Sequence, residues 1–248
     1  MALQADNART RSWKQRIKSK FSRIWQAPLP AYVPKEFSHK LDPNWINLND
    51  LREWIHICDI EHGNRCELQQ LTPGHPLWLI DVQLQCIVPA APDSRYIALS
   101  YVWGQVTCAK ATKDNLNELV REGSLAEENE GIIVPRTIRH TMRLVELMGE
   151  RFLWVDRLCI SQDDEESKHM QLANMADIYA NAYLTIIAAN GWDAEHGLRG
   201  IQDVTEPRQV SPNFENDYYE SLQPYSSVWV SYLFYSLSRC LNTPLILR

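Results

Sequence analysis

The sequence has no long apolar run, no cysteines at C-x-x-C spacing and no short signature of a common enzyme class. Residues 221–238 carry no charge, but they include six serines, a glutamine and a proline. This stretch reaches only the short limit of a membrane-spanning helix. The sequence therefore predicts no transmembrane segment.

The six cysteines are scattered along the chain, and no secretory signal peptide precedes them. Disulfide frameworks belong to oxidising compartments and to short, cysteine-dense secreted chains. The pattern therefore favours a reducing compartment, and we expect a cytoplasmic protein. The cysteines are Cys58, Cys66, Cys86, Cys108, Cys159 and Cys240.

Several enzyme motifs are also missing: G-x-S-x-G, G-x-G-x-x-G, the P-loop and H-E-x-x-H. Gly191, Gly197 and Gly200 flank a loop late in the chain, where we interpret them as turn residues rather than as a phosphate-binding loop.

Charge is distributed unevenly. The first 25 residues contain seven lysines and arginines against one aspartate, a net +6, so the rest carries −12 and the whole chain −6. An acidic body disfavours a nucleic-acid backbone, and no nucleic-acid partner is predicted. Within residues 9–25, apolar side chains recur at helical spacing among the basic ones, which indicates a basic amphipathic helix. Three roles stay open for it: peripheral contact with an anionic membrane, an organelle-targeting leader, or a solvated tail.

The chain is divided by composition into three parts. Residues 26–44 contain four prolines and are interpreted as a linker. We therefore expect a basic leader with its linker (1–44), a lead-in of helix and strands (45–94), and a main domain (95–248).

Soft metal ligands cluster in the lead-in at His56, Cys58, His62 and Cys66. Their spacing matches no common zinc finger. We interpret the segment as a helix end packed by small side chains, and no metal site is predicted.

Hydrophobic periodicity predicts alternating strands and helices. The strand around 151–160 is too continuously apolar for a half-exposed edge, which favours a parallel strand covered on both faces. The predicted fold class is therefore α/β, a parallel sheet flanked by helices with an N-terminal helical extension. Strands are expected over 77–88, 95–104, 151–160 and 182–190, and helices over 47–60, 112–122, 135–148 and from 163 onwards.

Local signals predict where two helices begin and end. Pro135 is expected at the first helical position, and Gly149 as the left-handed residue that ends the same helix. Asp163 and Glu166 resemble a capping box for the next helix. The inner face of that helix is expected to carry Leu172, Met175, Ala176 and Tyr179.

Polar and aromatic residues follow two of the predicted strands. Ligands of open α/β sheets bind at the carboxyl ends of the strands, so these residues are candidates for a cleft. They are Ser100, Tyr101, Trp103 and Gly104 after one strand, and Asp156, Cys159, Gln162 and Asp163 after the next.

Each candidate also has a purely structural interpretation, and both stay open. Cys159 is a nucleophile or a buried thiol. Asp163 with Glu166 is a Mg²⁺ site or a helix cap. Tyr101 and Trp103 stack on a nucleotide base or pack in the core. Asp156 serves the site or forms an ion pair with Arg157 or Arg151, because an isolated buried carboxylate is costly.

Three segments resemble the fungal heterokaryon-incompatibility (HET) family. They are "LWLIDV", "YIALSYVWG", and the long block from "VPRTIRHTM" through "RFLWVDRLCISQDDEE" to "AEHGLRG", which together span roughly residues 77–200. The resemblance implies a domain that triggers cell death when incompatible fungal strains fuse, acting through self-association or protein partners. It also implies distant kinship with TIR domains, whose fold is a flavodoxin-like parallel sheet and some of which cleave NAD.

The family's late motif, roughly S-x-W-x-x-R-G-W-T-x-Q-E, is only partly present. Ser227 and Trp229 fit it, but the arginine, the glycine and the Gln-Glu pair do not follow. The glutamate of that pair would supply a carboxylate to stabilise the positive charge that builds on the ribose during glycosidic cleavage. Because this carboxylate is missing from the motif, we expect a protein that acts by interaction and has no cofactor. An NAD glycohydrolase, with NAD as substrate, and a nonfunctional fragment of a longer protein remain as alternatives.

Overall fold

A computed structural model of the protein describes residues 42, 44–60, 74–188, 191–208 and 245–247. These residues form one six-stranded mixed sheet flanked by helices. The strands are β1 (Trp78–Asp81), β2 (Cys86–Pro89), β3 (Ile97–Ser100), β4 (Phe152–Trp154), β5 (Leu184–Ala188) and β6 (Leu245–Leu247). The helices are α1 (Leu48–Ile60), α2 (Leu116–Leu119), α3 (Arg136–Leu147), α4 (Asp156–Cys159), α5 (Glu165–Ala173) and α6 (Met175–Asn181).

The strand order is β2-β1-β4-β3-β5-β6. β3 lies between β4 and β5 and is parallel to both, with Ala98 in register with Trp154 and Thr185. β6 continues the parallel set beside β5. Ile97, Ala98 and Leu99 of β3 are fully buried, as expected for a parallel strand covered on both faces. The predicted parallel arrangement of the three central strands is confirmed.

The prediction of a wholly parallel sheet is wrong at one side, where β1 is antiparallel to both β2 and β4. A short turn returns the chain from β1 to β2, and strands joined this way can only pair antiparallel. Asp81 shapes the turn, because its buried carboxylate accepts hydrogen bonds from the backbone N–H groups of Gln83 and Leu84. The same carboxylate pairs with Arg151 at 2.7 Å.

The lead-in of the sequence therefore contributes two strands to the same sheet as the main domain. The predicted division at residues 44 and 94 stays a prediction.

Several predicted elements are shorter in the structure. β3 ends at Ser100, not at Gly104, and the predicted helix 112–122 is helical only over Leu116–Leu119. The apolar run after Arg151 is a strand for three residues and then becomes the helical turn α4. A continuous apolar run does not distinguish a buried strand from a buried helical turn, which is why the periodicity missed this change.

The helix α3 follows its prediction closely. Ile138, Met142, Val145 and Met148 are all buried in the core. Gly149 has a φ of +83° and ends the helix as predicted. Pro135 is the N-cap in extended conformation, one residue before the predicted position.

The next helix begins one residue later than predicted. Asp164, not Asp163, is the N-cap of α5, and its side chain accepts the backbone N–H of Ser167. A break at Asn174 then separates α5 from α6. The predicted inner face is wrong in part, because Leu172 and Ala176 are exposed while Gln171 and Ile178 are buried. Tyr179 is buried as predicted.

Across the described ranges, no helix combines the length and the apolarity needed to cross a bilayer. The basic segment 9–25, the late motif at 226–241, and His62 and Cys66 of the histidine and cysteine cluster lie outside the described residues.

Candidate functional site

The candidate residues lie at the point where the strand order of the parallel set reverses. The chain passes from β3 to β4 on one side and then crosses to β5 on the other side of β3. The loops that leave the carboxyl ends of these strands therefore diverge around β3. This is the place where open α/β sheets usually form a crevice.

The loops after β3 and β5 are joined to each other. The backbone N–H of Ala194 donates to the carbonyl of Trp103 at 3.3 Å. Gly104 has a φ of +62°, and a Cβ added there would lie 2.2 Å from the Cβ of Asp193. Both the backbone conformation and the close approach therefore require glycine at this position.

Asp156 is held by an indole and not by a cation. The Nε1–H of Trp103 donates to both carboxylate oxygens, at 2.9 and 3.0 Å. Burial raises the pKa of Asp156 to about 6, although this hydrogen bond and nearby Arg157 act in the opposite direction. The alternative of an ion pair with Arg151 is wrong, because Arg151 pairs with Asp81.

Arg157 lies next to this pair with an exposed fraction of 7%. Its guanidinium carbon is 4.7 Å from the centre of the Trp103 ring, a cation–π contact. Its Nη2 donates to the carbonyl of Val106 at 3.3 Å, whereas Nε and Nη1 have no partner among the described residues. No ion pair joins Arg157 to Asp156 in the part of the chain that the structure describes.

Two tyrosines complete the cluster. The Tyr101 hydroxyl is buried and has no hydrogen-bond partner among the described residues. Burial first, and Asp156 second, raise the pKa of Tyr101 and also that of Tyr179. Tyr179 donates to the carbonyl of Leu99 at 3.1 Å and lies beside the half-buried Ser100. The amphipathic pattern of its helix marked Tyr179 only as a core residue, and no sequence signal linked it to the site.

Cys159 is part of the core. Its side chain is 1% exposed, and its sulfur accepts the backbone N–H of Val155 at 3.4 Å. Burial raises the pKa of the Cys159 thiol to about 12, so the nucleophilic thiolate is not formed at neutral pH. The structural interpretation of this cysteine is therefore the one that the geometry supports.

Gln162 and Asp163 fasten loops beside the cluster. Gln162 donates through Nε2 to the carbonyls of Asp156 and Ile160, at 3.0 and 2.9 Å. Asp163 accepts the backbone N–H of Lys113 at 2.9 Å, and this hydrogen bond lowers the pKa of Asp163. Neither side chain joins the Asp156 carboxylate, and within the described ranges no three His, Cys, Asp or Glu side chains form a metal-binding group.

The structure thus brings together Tyr101, Trp103, Asp156 and Arg157, which we call the indole–carboxylate cluster. Three of these residues were predicted as site residues. Arg157 was expected only as an ion-pair partner, because its position next to Asp156 in sequence suggested charge compensation.

The family model described as heterokaryon incompatibility protein (HET) matches residues 96–241, which include the whole cluster. Among curated proteins, "Heterokaryon incompatibility protein 6, OR allele" of Neurospora crassa is 34% identical over 128 residues. The aligned region covers 46% of this chain but only 17% of that relative. No solved structure matches the chain.

Proposed function

The chain belongs to the heterokaryon incompatibility (HET) family, and on this premise we propose that it acts in fungal self/non-self recognition and programmed cell-death signalling, mainly through protein interaction. The observation that carries the proposal is the family match, which extends over residues 96–241 and so over β3, β4 and β5 with their loops. Such a role is a form of innate immunity, and we place it in the cytoplasm.

An exposed apolar rim supports the interaction mode. Trp192 is 92% exposed and Val102 is 51% exposed, and they lie on the two loops that Gly104 and Asp193 bring together. Exposed tryptophan is unusual on a monomer and is enriched at the centres of protein interfaces. The rim is therefore the surface that we assign to a like domain or a protein partner.

The closed state of the cluster also favours interaction over catalysis. Both oxygens of Asp156 accept the single indole N–H of Trp103, so the carboxylate is turned toward the indole. The Cys159 thiol is buried and is not free to attack a substrate in this arrangement.

We further propose a TIR-like, flavodoxin-like relationship for the parallel part of the sheet. Numbered from β3, the parallel strands follow the spatial order 2-1-3-4, which is the beginning of the flavodoxin-like order 2-1-3-4-5. The hairpin β1–β2 is then an addition at the edge formed by β4.

An NAD glycohydrolase is the second candidate, with NAD as its substrate. It is favoured by the position of the cluster at the reversal of strand order, where nucleotides bind in such sheets. For the basic segment 9–25, peripheral contact with an anionic membrane stays part of the proposal.

The test is to express the full chain from an inducible promoter in a filamentous fungus and to count dead cells with a vital dye. We expect cell death, and a several-fold loss of it in Trp192→Ala, together with weaker self-association in light scattering. Met170→Ala is the matched control, because Met170 is also exposed but lies on α5.

Two results would contradict the interaction mode. One is cell death that persists unchanged in Trp192→Ala. The other is release of nicotinamide from NAD by the purified chain, which would favour the NAD glycohydrolase.

A further inference from the structure

Arg157 is a buried cation that has no acid within ion-pair distance in the described part of the chain, although the nearby Asp156 carboxylate acts on it through space. It is 7% exposed, it makes one hydrogen bond to the carbonyl of Val106, and within the described residues its Nε and Nη1 remain without acceptors. The neighbouring Asp156 is occupied by Trp103. Burial of an unpaired charge is strongly unfavourable. The binding of an anion to the guanidinium would therefore be favourable.

A second unpartnered group lies within electrostatic range of Arg157. The Tyr101 hydroxyl is enclosed and has no partner in the described part of the chain, and the charges of both Asp156 and Arg157 act on its pKa. The hydroxyl can donate, and the arginine nitrogens can only donate. The missing partner of these groups is therefore a hydrogen-bond acceptor that carries negative charge. A water molecule supplies an acceptor but does not neutralise the guanidinium.

We propose that Tyr101 and Arg157 form a receptor for a carboxylate group, with residues 102–108 as its movable cover. A carboxylate fits better than a phosphate because it carries one negative charge and Asp156 lies close by. Arginine binds carboxylates through charge-assisted hydrogen bonds.

The cover is held by few contacts. Trp103 is fixed by its indole bond to Asp156 and by the 3.3 Å hydrogen bond from Ala194 to its carbonyl. Val106 contributes the 3.3 Å contact with Arg157. The segment has no helix or strand, and its residues at 102, 105 and 107 are exposed. Opening it breaks these hydrogen bonds and the cation–π contact between Trp103 and Arg157, and it exposes the two receptor side chains.

The carboxylate has two sources, a free small acid or an acidic side chain of a protein partner. Both present the same chemistry to Tyr101 and Arg157, and the receptor itself does not depend on the proposed role in incompatibility.

The test uses the full chain labelled with ¹⁵N and titrated with sodium acetate, against sodium chloride and sodium phosphate at equal ionic strength. The readout is the indole N–H signal of Trp103, because this group lies between Asp156 and Arg157. We expect a saturable shift with acetate and not with chloride or phosphate. Tyr101→Phe should weaken acetate binding about tenfold, the value of one hydrogen bond to a charged group.

Arg157→Met should abolish the acetate response. If the Arg157→Met protein does not fold, Tyr101→Phe still tests the receptor. Arg143→Met is the control, because Arg143 is an exposed arginine on α3 that pairs with Glu146.

A capped peptide with one glutamate, compared with its glutamine counterpart, distinguishes the two sources of the carboxylate. Tighter binding of the peptide than of acetate assigns a protein partner, and equal binding assigns a free acid. Absence of a saturable acetate shift, or an equal response in Tyr101→Phe, would overturn the receptor.

Discussion

Asp156 is a carboxylate that the fold keeps beside the core without a cation on its oxygens. Its sequence context, an acid within an apolar run, marked it as a residue that needs a partner. The partner is Trp103, 53 positions away, and a neutral donor stabilises the charge less than a cation would. Burial therefore raises the pKa of Asp156, and the indole hydrogen bond offsets only part of the rise.

The pKa of Asp156 predicts a dependence of stability on pH. The pKa rises from 3.8 in the unfolded chain to about 6 in the folded protein, so the folded state holds this proton more tightly. Stability from this group is therefore fully present below about pH 4 and is lost as pH rises through about 6. Relative to Asp156→Asn, the native protein should lose roughly 2 kcal/mol between pH 4 and pH 7. Urea unfolding of both proteins across this range measures it.

A constant difference between the two proteins across that range would show that Asp156 keeps an ordinary pKa. The amide introduced by Asp156→Asn retains an acceptor oxygen for the Trp103 indole, so the comparison isolates the charge.

At the scale of single elements, the structure differs from the prediction at the start of a helix and in the contact that one loop makes with another. The N-cap of α5 is Asp164, although Asp163 and Glu166 had the spacing of a capping box. Asp163 instead fixes the loop at Lys113, 50 positions earlier, because its carboxylate accepts the backbone N–H of that residue.

Asp164→Ala should lower the free energy of unfolding by about 1 kcal/mol, the usual value of a lost N-cap. Glu166→Ala is the control, because Glu166 is exposed and should change stability by less than about 0.5 kcal/mol. Chemical unfolding followed by circular dichroism measures both. If Glu166→Ala were the more damaging substitution, the capping box expected from the sequence would be restored.

Gly104→Ala should destabilise the protein and separate the loops after β3 and β5. The added Cβ would be both in a left-handed conformation and 2.2 Å from Asp193, so we expect a loss of about 2 kcal/mol or more. Gly123 also has a positive φ, but no atom lies within 4 Å of its Cβ position. The control Gly123→Ala should therefore cost only the backbone strain, about 1 kcal/mol.

Thermal unfolding of the two glycine variants provides the measurement. Equal losses in both would mean that the contact between Gly104 and Asp193 contributes nothing and that conformation alone selects glycine.

At the scale of the whole molecule, the hairpin β1–β2 makes the sheet larger than its parallel part. Ile80 pairs with Ile87 on one side and with Leu153 of β4 on the other, and all three are buried. The hairpin therefore covers the edge of β4 and shares its core.

Ile80→Ala should cost about 2–5 kcal/mol and leave a single unfolding transition. The control is Leu77→Ala, since Leu77 is 43% exposed just before β1 and should have a small effect. Urea unfolding followed by both far-UV and near-UV circular dichroism tests this. Two separate transitions would show that the hairpin folds independently of the parallel strands.

The local features of the chain were predictable because they depend on neighbours in sequence. The apolar stripe of α3, its end at Gly149 and the buried strands β3 and β5 follow from side-chain spacing and from the conformational freedom of glycine. The resemblance of residues 77–200 to the HET family likewise required only the order of residues, and the family match over 96–241 confirms it.

The features that were missed depend on contacts between distant segments. Nothing near Asp156 in sequence indicates that Trp103 reaches it, that Arg151 prefers Asp81, or that Arg157 remains without an acid in the described part of the chain. Spacing determines which face of an element is apolar, but only the packing of strands and loops decides which polar groups meet and which are enclosed without a partner. The indole–carboxylate cluster is therefore a property of the tertiary structure, since the energy of a buried charge is set by the atoms that surround it.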